Sequence, residues 1–396
     1  MAGIGEVNST NVQPTASSAT QTPDEEFLNS IFEIDKYGNN NGKVEEEDFN
    51  LALRTGMLNK DTIGKIENWY VTFLAKSGKG EVVGNHRTVT AEVPSLLGSK
   101  VTIKGIFDEK TGKLIVKTES KISEKDGITT VSTTRTEYGK KQNKVTEAKY
   151  SYSKELLEKH IMFEGVDNSG RPIKIFNDIP QIRKLPENMR TDKQKALLKE
   201  FDDMVNFAIK VGQEYNIDPK LVVSIMEREV GFDGFGKHTG LDVTGINGKG
   251  YMQLTTAPIG DFLYKTQVEN KKKGIPAKYA AGTKESLYGV EMTDLLISRG
   301  FDVNAAQTTA QKKALEERIM AYLKKNTDPE FNIRLGTLTM RYYMNKANGN
   351  VKTAATNYNG SSGKILYGIA VSGKYEKMDN VMPNDSTYVR KTVPLR

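Results

Sequence analysis

Residues 216–232 read Asn-Ile-Asp-Pro-Lys-Leu-Val-Val-Ser-Ile-Met-Glu-Arg-Glu-Val-Gly-Phe, and this stretch decides the character of the C-terminal half of the chain. An Asp followed by a Pro is a strong helix start, because the carboxylate of Asp218 can cap the first free backbone amides and Pro219 suits the first helical turn. We therefore predict a helix from Pro219 to about Val230.

One acid is out of place on this predicted helix. The residues that share the spacing of a single helix face are Val222, Ile225, Met226 and Glu229. Glu229 therefore lies among apolar side chains, whereas Glu227 and Arg228 point elsewhere. Burial and the negative end of the helix dipole both raise the pKa of a carboxyl group, as a general acid near neutral pH requires. The alternative is a carboxylate that pairs with a neighbouring Arg or reaches solvent at the helix end.

Three further segments follow in order along the chain: Gly250-Tyr-Met-Gln253, Asn332-Ile-Arg-Leu-Gly336 and Ala354-Ala-Thr-Asn-Tyr-Asn-Gly360. Together with residues 225–232, they resemble the four ordered motifs of the soluble lytic transglycosylase family, a branch of the lysozyme superfamily. The resemblance covers roughly residues 195–370. It departs from the family pattern at Val230, which replaces a Ser, after Asn359, where an Ala is absent, and in a long insertion after Gln253.

The resemblance implies a cleft that holds a glycan of alternating N-acetylglucosamine and N-acetylmuramic acid. Carried over by position, Glu229 is the catalytic acid and base, and Tyr358 stabilises the reacting centre. The substrate-binding positions implied in the same way are Gly250, Tyr251, Met252, Gln253 and Asn359. The reaction implied is cleavage of the β-1,4 bond between the two sugars with a 1,6-anhydro product, without any cofactor for catalysis.

Two other functions remain open at this point. A hydrolytic muramidase would use Asp233 or Asp242 to position a water across the sugar from Glu229. A catalytically silent glycan-binding or structural protein could keep the same fold. Both acids lie in a Gly-rich stretch, and Asp233 is expected just past the helix end, so a single acid at Glu229 favours the transglycosylase.

The N-terminal region contains a loop that resembles an EF-hand. Residues 1–23 are polar and predict a disordered tail, and residues 24–78 predict a helix-loop-helix. Oxygen-bearing side chains alternate around Gly42, and the calcium ligands predicted from them are Asp35, Asn39, Asn41 and Asp48. The spacing is two residues too long from Asp35, and Asp48 replaces the usual Glu. An Asn- and Gly-rich turn without metal is the alternative.

The remainder of the chain predicts two larger regions. Residues 80–185 alternate apolar and polar side chains between turn signals, which indicates an antiparallel β module and linker. Residues 190–396 predict the helical lysozyme-like domain, with a helical insertion at 262–328. The fold class expected is multidomain α+β: a short helix-loop-helix and an antiparallel β module precede the catalytic domain. The β module is a candidate surface for a protein partner.

Composition limits the other functional classes. The chain has 396 residues, no Cys, three His and a net charge of +7. Its first fifty residues hold ten acids and two Lys, a net charge of −8 that leaves +15 on the rest. A basic body suits an anionic polymer such as the cell wall, but the basic stretches lack the interleaved aromatic residues of single-strand nucleic-acid binding.

The expected place of action follows from the expected substrate. No apolar run predicts a membrane span, and the N-terminus shows no signal-peptide pattern. Because peptidoglycan strands are the predicted partner, we expect the protein to act on the bacterial cell wall from the periplasm, the outside of the cell or a virion.

Overall fold

The computed structural model describes residues 33–54, 58–94, 99–139, 141–163, 165–166, 172–173, 178–235, 250–254, 259, 262–263, 287–325, 327–359, 364–379 and 386–394. The predicted tail at 1–23 lies outside them. The chain divides into two compact units, Met1–Ser123 and Glu124–Arg396. The described residues combine helices with antiparallel strands, so the prediction of a mixed α and β protein is confirmed. No described helix is both long and apolar enough to cross a membrane.

The first unit packs two helices with antiparallel strands. Its elements are α1 (Glu46–Arg54), α2 (Lys60–Lys76), β1 (Glu81–Val83), β2 (His86–Pro94), β3 (Lys100–Asp108) and β4 (Leu114–Lys125), the last of which ends two residues beyond the unit. Each of these strands pairs antiparallel with the next along the chain. Helix α2 begins where the side chain of Asn59 accepts a hydrogen bond of 2.9 Å from the amide of Thr62.

The core of the first unit joins both helices to the strands. Phe49 of α1 stacks on Tyr70 of α2, with ring centroids 4.8 Å apart. Apolar side chains of α2, β2 and β3 complete the same cluster. A buried ion pair adds to it, since the ammonium of Lys117 lies 2.5 Å from a carboxylate oxygen of Glu67. Burial raises the pKa of Glu67 to about 7, although Lys117 opposes the shift.

The strands of the second unit come from distant parts of the chain. Strand β6 (Gln142–Tyr152) pairs antiparallel with β5 (Ile128–Glu137) on one side and with β9 (Thr387–Pro394) on the other. A short antiparallel pair, β7 (Gly165–Val166) and β8 (Pro172–Ile173), is separate. Strand β9 was not predicted, because the C-terminal region as a whole was expected to be helical.

Helices make up most of the described remainder of the second unit. They are α3 (Lys154–Phe163), α4 (Ile179–Lys184), a short 3-10 turn (Glu187–Met189), α5 (Asp192–Tyr215), α6 (Pro219–Phe235), α7 (Leu287–Ile297), α8 (Thr309–Lys325), α9 (Pro329–Lys346), α10 (Val351–Asn359) and α11 (Lys364–Asp379). Helices α7 and α8 lie in the region predicted as a helical insertion. The buried face of α8 contains Leu315, Ile319 and Leu323.

Helix α6 is the element that carries Glu229, and its start agrees with the sequence. Helix α5 ends at Asn216 in the left-handed conformation, and the side chain of Asp218 then accepts a hydrogen bond of 3.0 Å from the amide of Lys220. The predicted end at about Val230 was wrong, because the helix continues to Phe235. Glycine in a helix interior is costly but tolerated, and here it does not act as a stop signal.

A buried ionic cluster connects the strands of the second unit to its helices. One carboxylate oxygen of Glu291 on α7 accepts a hydrogen bond from Arg135 on β5. The other accepts one from Arg341 on α9. All three residues are less than 9% exposed. Charges buried to this degree require good partners, so the cluster fixes β5 against α7 and α9.

Candidate active site

Glu229 lies in the C-terminal half of α6, between Pro219 and Phe235, and is half-buried. Burial raises the pKa of its carboxyl group to about 7. The hydroxyl of Tyr367 and the positive charge of Arg228 act in the opposite direction and are outweighed. A carboxyl group with this pKa is protonated in about half of the molecules near neutral pH, so it can both donate and accept a proton there.

Tyr367 of α11 lies beside Glu229 and was not predicted from the sequence. Its hydroxyl is buried, and no described group forms a hydrogen bond of good geometry with it, although it is close enough to influence Glu229. The ring is stacked with that of Tyr358 at a centroid distance of 6.3 Å. The guanidinium of Arg228 lies 6.0 Å from the ring centroid of Tyr367. Two tyrosines and one carboxyl group therefore form a single cluster.

The other three predicted motifs meet at Met252. The hydroxyl of Tyr358 donates a hydrogen bond of 3.1 Å to the carbonyl of Met252. The amide of Met252 donates one of 2.9 Å to the side chain of Asn332 on α9. A Cβ on Gly336 would lie only 2.5 Å from Cβ of Met252, so this contact requires glycine. Asn332 and Gly336 therefore hold the turn that contains Met252 against α9, whereas the cap of α9 is Asp328.

The turn at Gly250–Leu254 has an unusual backbone. Gly250 has φ of 68°, and a Cβ there would lie 2.4 Å from the side-chain nitrogen of Asn332. Gln253 also adopts a positive φ, 41°, and its side-chain amide donates a hydrogen bond of 2.9 Å to the carbonyl of Gly250. Strained backbone that the surroundings hold in place is common at functional sites.

The remaining predicted binding residues occupy different environments. Tyr251 is buried, and its hydroxyl donates a hydrogen bond of 2.9 Å to Glu200 on α5. The side chain of Met252 is fully buried and packs against Gly336. Asn359 is half-buried at the last residue of α10, directly after Tyr358. The structure thus brings Tyr358 and Met252 together and turns Tyr251 towards α5.

A second acid on α6, Glu227, connects this helix to two neighbouring helices. Glu227 is buried, and its two carboxylate oxygens contact different partners. One lies 2.5 Å from the Nε2 atom of His160 on α3, and the other accepts a hydrogen bond of 2.8 Å from the ammonium of Lys374 on α11. This network ties α6 to α3 and α11 within two residues of Glu229, and it therefore orients the helix turn that carries the acid.

The two acids proposed for a hydrolytic mechanism are described only in part. Asp242 lies outside the described residues, and of Asp233 only the backbone is described. Asp233 was expected just past the helix end. It is instead within α6, one helical turn beyond Glu229, because the helix continues to Phe235.

The N-terminal loop engages its predicted calcium ligands in hydrogen bonds. The carboxylate of Asp35 accepts bonds of 3.0 and 2.9 Å from the amides of Asn41 and Gly42. The carboxylate of Asp48 accepts bonds of 3.0 and 2.8 Å from the amides of Asn39 and Glu45. The side-chain oxygens of Asn39 and Asn41 likewise accept loop amides. As placed, these oxygens stabilise the turn.

Calcium binding at this loop remains a prediction, and calorimetry tests it. An ion would have to replace the amides that now contact Asp35 and Asp48. If the prediction is right, titration of the wild-type protein with millimolar calcium gives a heat of binding that Asp48→Asn abolishes. A flat titration in both proteins would identify the loop as a turn that is complete without metal.

No family model, no curated protein and no solved structure matches the chain. Among the described residues, no group of three or more acidic or His side chains could hold a metal ion. The reactive groups of the site are one half-buried acid with a pKa of about 7 and two stacked tyrosines.

Proposed function

We propose that the protein is a peptidoglycan lytic transglycosylase that cleaves the β-1,4 bond between N-acetylmuramic acid and N-acetylglucosamine. The observation that carries the proposal is Glu229, a half-buried carboxyl group with a pKa of about 7 beside Tyr367 and Tyr358. The order of the four sequence motifs supports it, because three of them contact one another at Met252.

The reaction requires Glu229 to donate one proton to the substrate and then to accept one proton from it. Glu229 donates its proton to the glycosidic oxygen as the bond from that oxygen to the anomeric carbon breaks, and this leaves the 4-hydroxyl of N-acetylglucosamine. The 6-hydroxyl oxygen of the muramoyl sugar then bonds to the anomeric carbon, and its proton passes to Glu229. The carboxyl group is restored, no water is consumed, and the product carries a 1,6-anhydro ring.

A single acid suffices for this reaction because the acetamido oxygen of the sugar can stabilise the cationic centre in place of a second carboxylate. The hydroxyl of Tyr358 is bonded to the Met252 carbonyl, whereas that of Tyr367 lacks a well-placed partner among the described groups. The buried hydroxyl of Tyr367 therefore acts on the Glu229 carboxyl group, and the ring of Tyr358 stacks on that of Tyr367. The bacterial cell wall is the place of action under this proposal.

Digestion of purified peptidoglycan followed by mass spectrometry tests the proposal. We expect fragments that end in anhydromuramic acid, which are lighter by one water than the hydrolytic products. Reducing-end fragments as the main product would favour a hydrolytic muramidase, and loss of activity in Asp242→Asn or Asp233→Asn would then identify its second carboxylate. Intact glycan strands that still co-sediment with the protein would favour the silent glycan-binding alternative.

A further inference from the structure

A substrate can reach Glu229 but cannot contact the hydroxyl of Tyr367. Tyr367 is 4% exposed, and its hydroxyl oxygen is buried. Glu229 is half-buried, so part of its surface is open to a substrate. Any influence of the Tyr367 hydroxyl on a reaction at this site is therefore transmitted through the Glu229 carboxyl group, which lies beside it.

Three contacts hold Tyr367 in place beside α6. Its ring is stacked with that of Tyr358 on α10, at an interplanar angle of 14°. The guanidinium of Arg228 on α6 lies 6.0 Å from the centroid of the ring. The next residue of α11 is Gly368, where a Cβ would overlap the side-chain oxygen of Thr356 on α10. The ring and the close approach of α10 and α11 therefore fix the phenol, and its hydroxyl is not needed for this purpose.

The Tyr367 hydroxyl is a donor that keeps its proton and lacks a well-placed acceptor. Burial raises the pKa of the phenol well above its usual value of 10, and the charge of Glu229 acts in the same direction. The hydroxyl therefore remains protonated at every pH at which the Glu229 carboxyl group titrates. It forms no hydrogen bond of good geometry within the described part of the chain. An unpaired buried donor is costly, and the carboxyl group with which this hydroxyl interacts is that of Glu229.

The other charged groups near this turn of α6 do not take the place of Tyr367. Among the described residues, Arg228 is the one further group that shifts the pKa of Glu229, and it does so by its charge. His160 on α3 and Lys374 on α11 contact the carboxylate of Glu227. Of the described hydroxyl groups, that of Tyr367 is therefore the one that acts on Glu229.

We propose that Tyr367 is a positioning residue whose hydroxyl donates a hydrogen bond to Glu229 once that carboxyl group has given its proton to the glycosidic oxygen. A carboxylate accepts a stronger hydrogen bond than a carboxylic acid does, because the bond is charge-assisted. The bond therefore stabilises Glu229 as the base that next takes the proton of the muramoyl 6-hydroxyl. The Tyr367 proton is not transferred, so the proton balance of the reaction is unchanged. This role rests on the proposed function, whereas the hydrogen bond itself does not.

Carbon-13 NMR of the side-chain carboxyl groups in the full-length, substrate-free protein tests the hydrogen bond without any measurement of activity. The signal of Glu229 is assigned by its absence in Glu229→Gln. Tyr367→Phe keeps the ring and removes the hydroxyl. Because the ionised form of Glu229 then loses a hydrogen bond, its pKa is expected to rise by about 1 to 2 pH units.

Two other tyrosines serve as controls for this titration. The hydroxyl of Tyr358, on the stacked ring, donates its hydrogen bond to the carbonyl of Met252. The hydroxyl of Tyr375, eight residues further along α11, donates one of 3.0 Å to Asp218 at the other end of α6. Neither Tyr358→Phe nor Tyr375→Phe should therefore raise the pKa of Glu229.

Kinetics with purified peptidoglycan then test the role in catalysis. At about pH 5, where Glu229 is protonated in both proteins, Tyr367→Phe should lower kcat by about 10- to 100-fold. KM should not change, because the substrate does not contact the hydroxyl. The alkaline limb of kcat/KM should move to higher pH by the same amount as the pKa measured by NMR. Loss of a merely structural side chain would lower kcat without moving this limb.

A second titration needs no substitution of Tyr367, in case Tyr367→Phe does not fold. In the wild type, the Cζ signal of one buried tyrosine should shift with the same midpoint as the ionisation of Glu229, and Glu229→Gln should abolish this shift. Absence of the shift in the wild type would overturn the proposal. So would an unchanged pKa of Glu229 in folded Tyr367→Phe, or an equal rise in Tyr358→Phe.

The same measurements separate this inference from the proposed function. A raised pKa of Glu229 in Tyr367→Phe, together with no release of muropeptides by the wild type, would support the hydrogen bond and count against the proposed catalysis. Anhydromuramoyl products from the wild type, together with an unchanged pKa in Tyr367→Phe, would count against the role of Tyr367 alone.

Discussion

The Glu229→Gln protein is expected to cleave peptidoglycan about 10²- to 10⁴-fold more slowly than the wild type, with its fold retained. The amide keeps the shape of the side chain but can neither donate the required proton to the glycosidic oxygen nor recover one from the attacking hydroxyl. The measurement is the rate of muropeptide release from purified cell walls. Glu376→Gln on the exposed surface of α11 is the matched control and should remain fully active.

The pH dependence of kcat/KM tests the role of Glu229 independently of the substitution. The form of Glu229 needed to start the reaction is protonated, and burial raises its pKa to about 7. The value of kcat/KM should therefore fall as the pH rises through about 7. Arg228 lowers this pKa, so Arg228→Gln should move the alkaline limb to higher pH. Two results would contradict the proposed role of Glu229. One is muropeptide release by Glu229→Gln at near the wild-type rate. The other is an alkaline limb of the kcat/KM profile that lies at the same pH in Arg228→Gln as in the wild type.

Local signals in the sequence were sufficient to locate Glu229. The start of α6 was predicted because Asp218 and Pro219 determine it through local backbone chemistry. The spacing of the apolar residues then identified Glu229 as an acid on the buried face. The predicted end at about Val230 was wrong, because the helix passes through Gly231 and Gly234 and continues to Phe235.

The local sequence pattern does not distinguish Tyr367 from an ordinary core residue. Tyr367 lies beyond the last matched motif, and a Tyr in an amphipathic helix is ordinarily a core residue. Its role depends on the packing of α11 against α6, a contact between segments more than a hundred residues apart. Glu227 was assigned to a different face from Glu229, but its burial beside His160 and Lys374 depends equally on tertiary packing.

Strand β9 had a readable signal that was overlooked. Five of the eight residues from Thr387 to Pro394 are β-branched or aromatic. Such a composition favours a strand over a helix. Its pairing with β6, some 240 residues earlier, explains why β5 and β6 belong to the second unit. Long-range pairing of this kind leaves no trace in a single sequence window.

The Glu291→Gln protein is expected to lose about 3–5 kcal/mol of the free energy of unfolding of the second unit. The carboxylate of Glu291 is buried between Arg135 and Arg341, and the substitution leaves two buried guanidinium groups without their counter-charge. Chemical denaturation followed by circular dichroism measures the loss. The single Trp of the chain, Trp69, lies in the first unit, so its fluorescence separates the unfolding of that unit from the effect on the second.

An exposed ion pair on the same sheet is the matched control for this loss. The ammonium of Lys391 lies 2.7 Å from a carboxylate oxygen of Glu147, and both side chains are about half exposed. Glu147→Gln should therefore cost less than about 1 kcal/mol. A similarly small loss in Glu291→Gln would show that the buried cluster contributes little to stability.

The pH dependence of stability follows from the same cluster. Burial by itself would raise the pKa of Glu291, but the two guanidinium groups outweigh it and lower the pKa from 4.5 to about 2. Because the pKa is lower in the folded state, the unfolded chain binds the proton more tightly, and folding gains stability only while the carboxylate is charged. This contribution is complete above about pH 4.5 and is lost as the pH falls towards 2. In Glu291→Gln the destabilisation relative to wild type should therefore be largest near neutral pH and shrink in acid. A loss that is independent of pH would assign the effect to packing and not to charge.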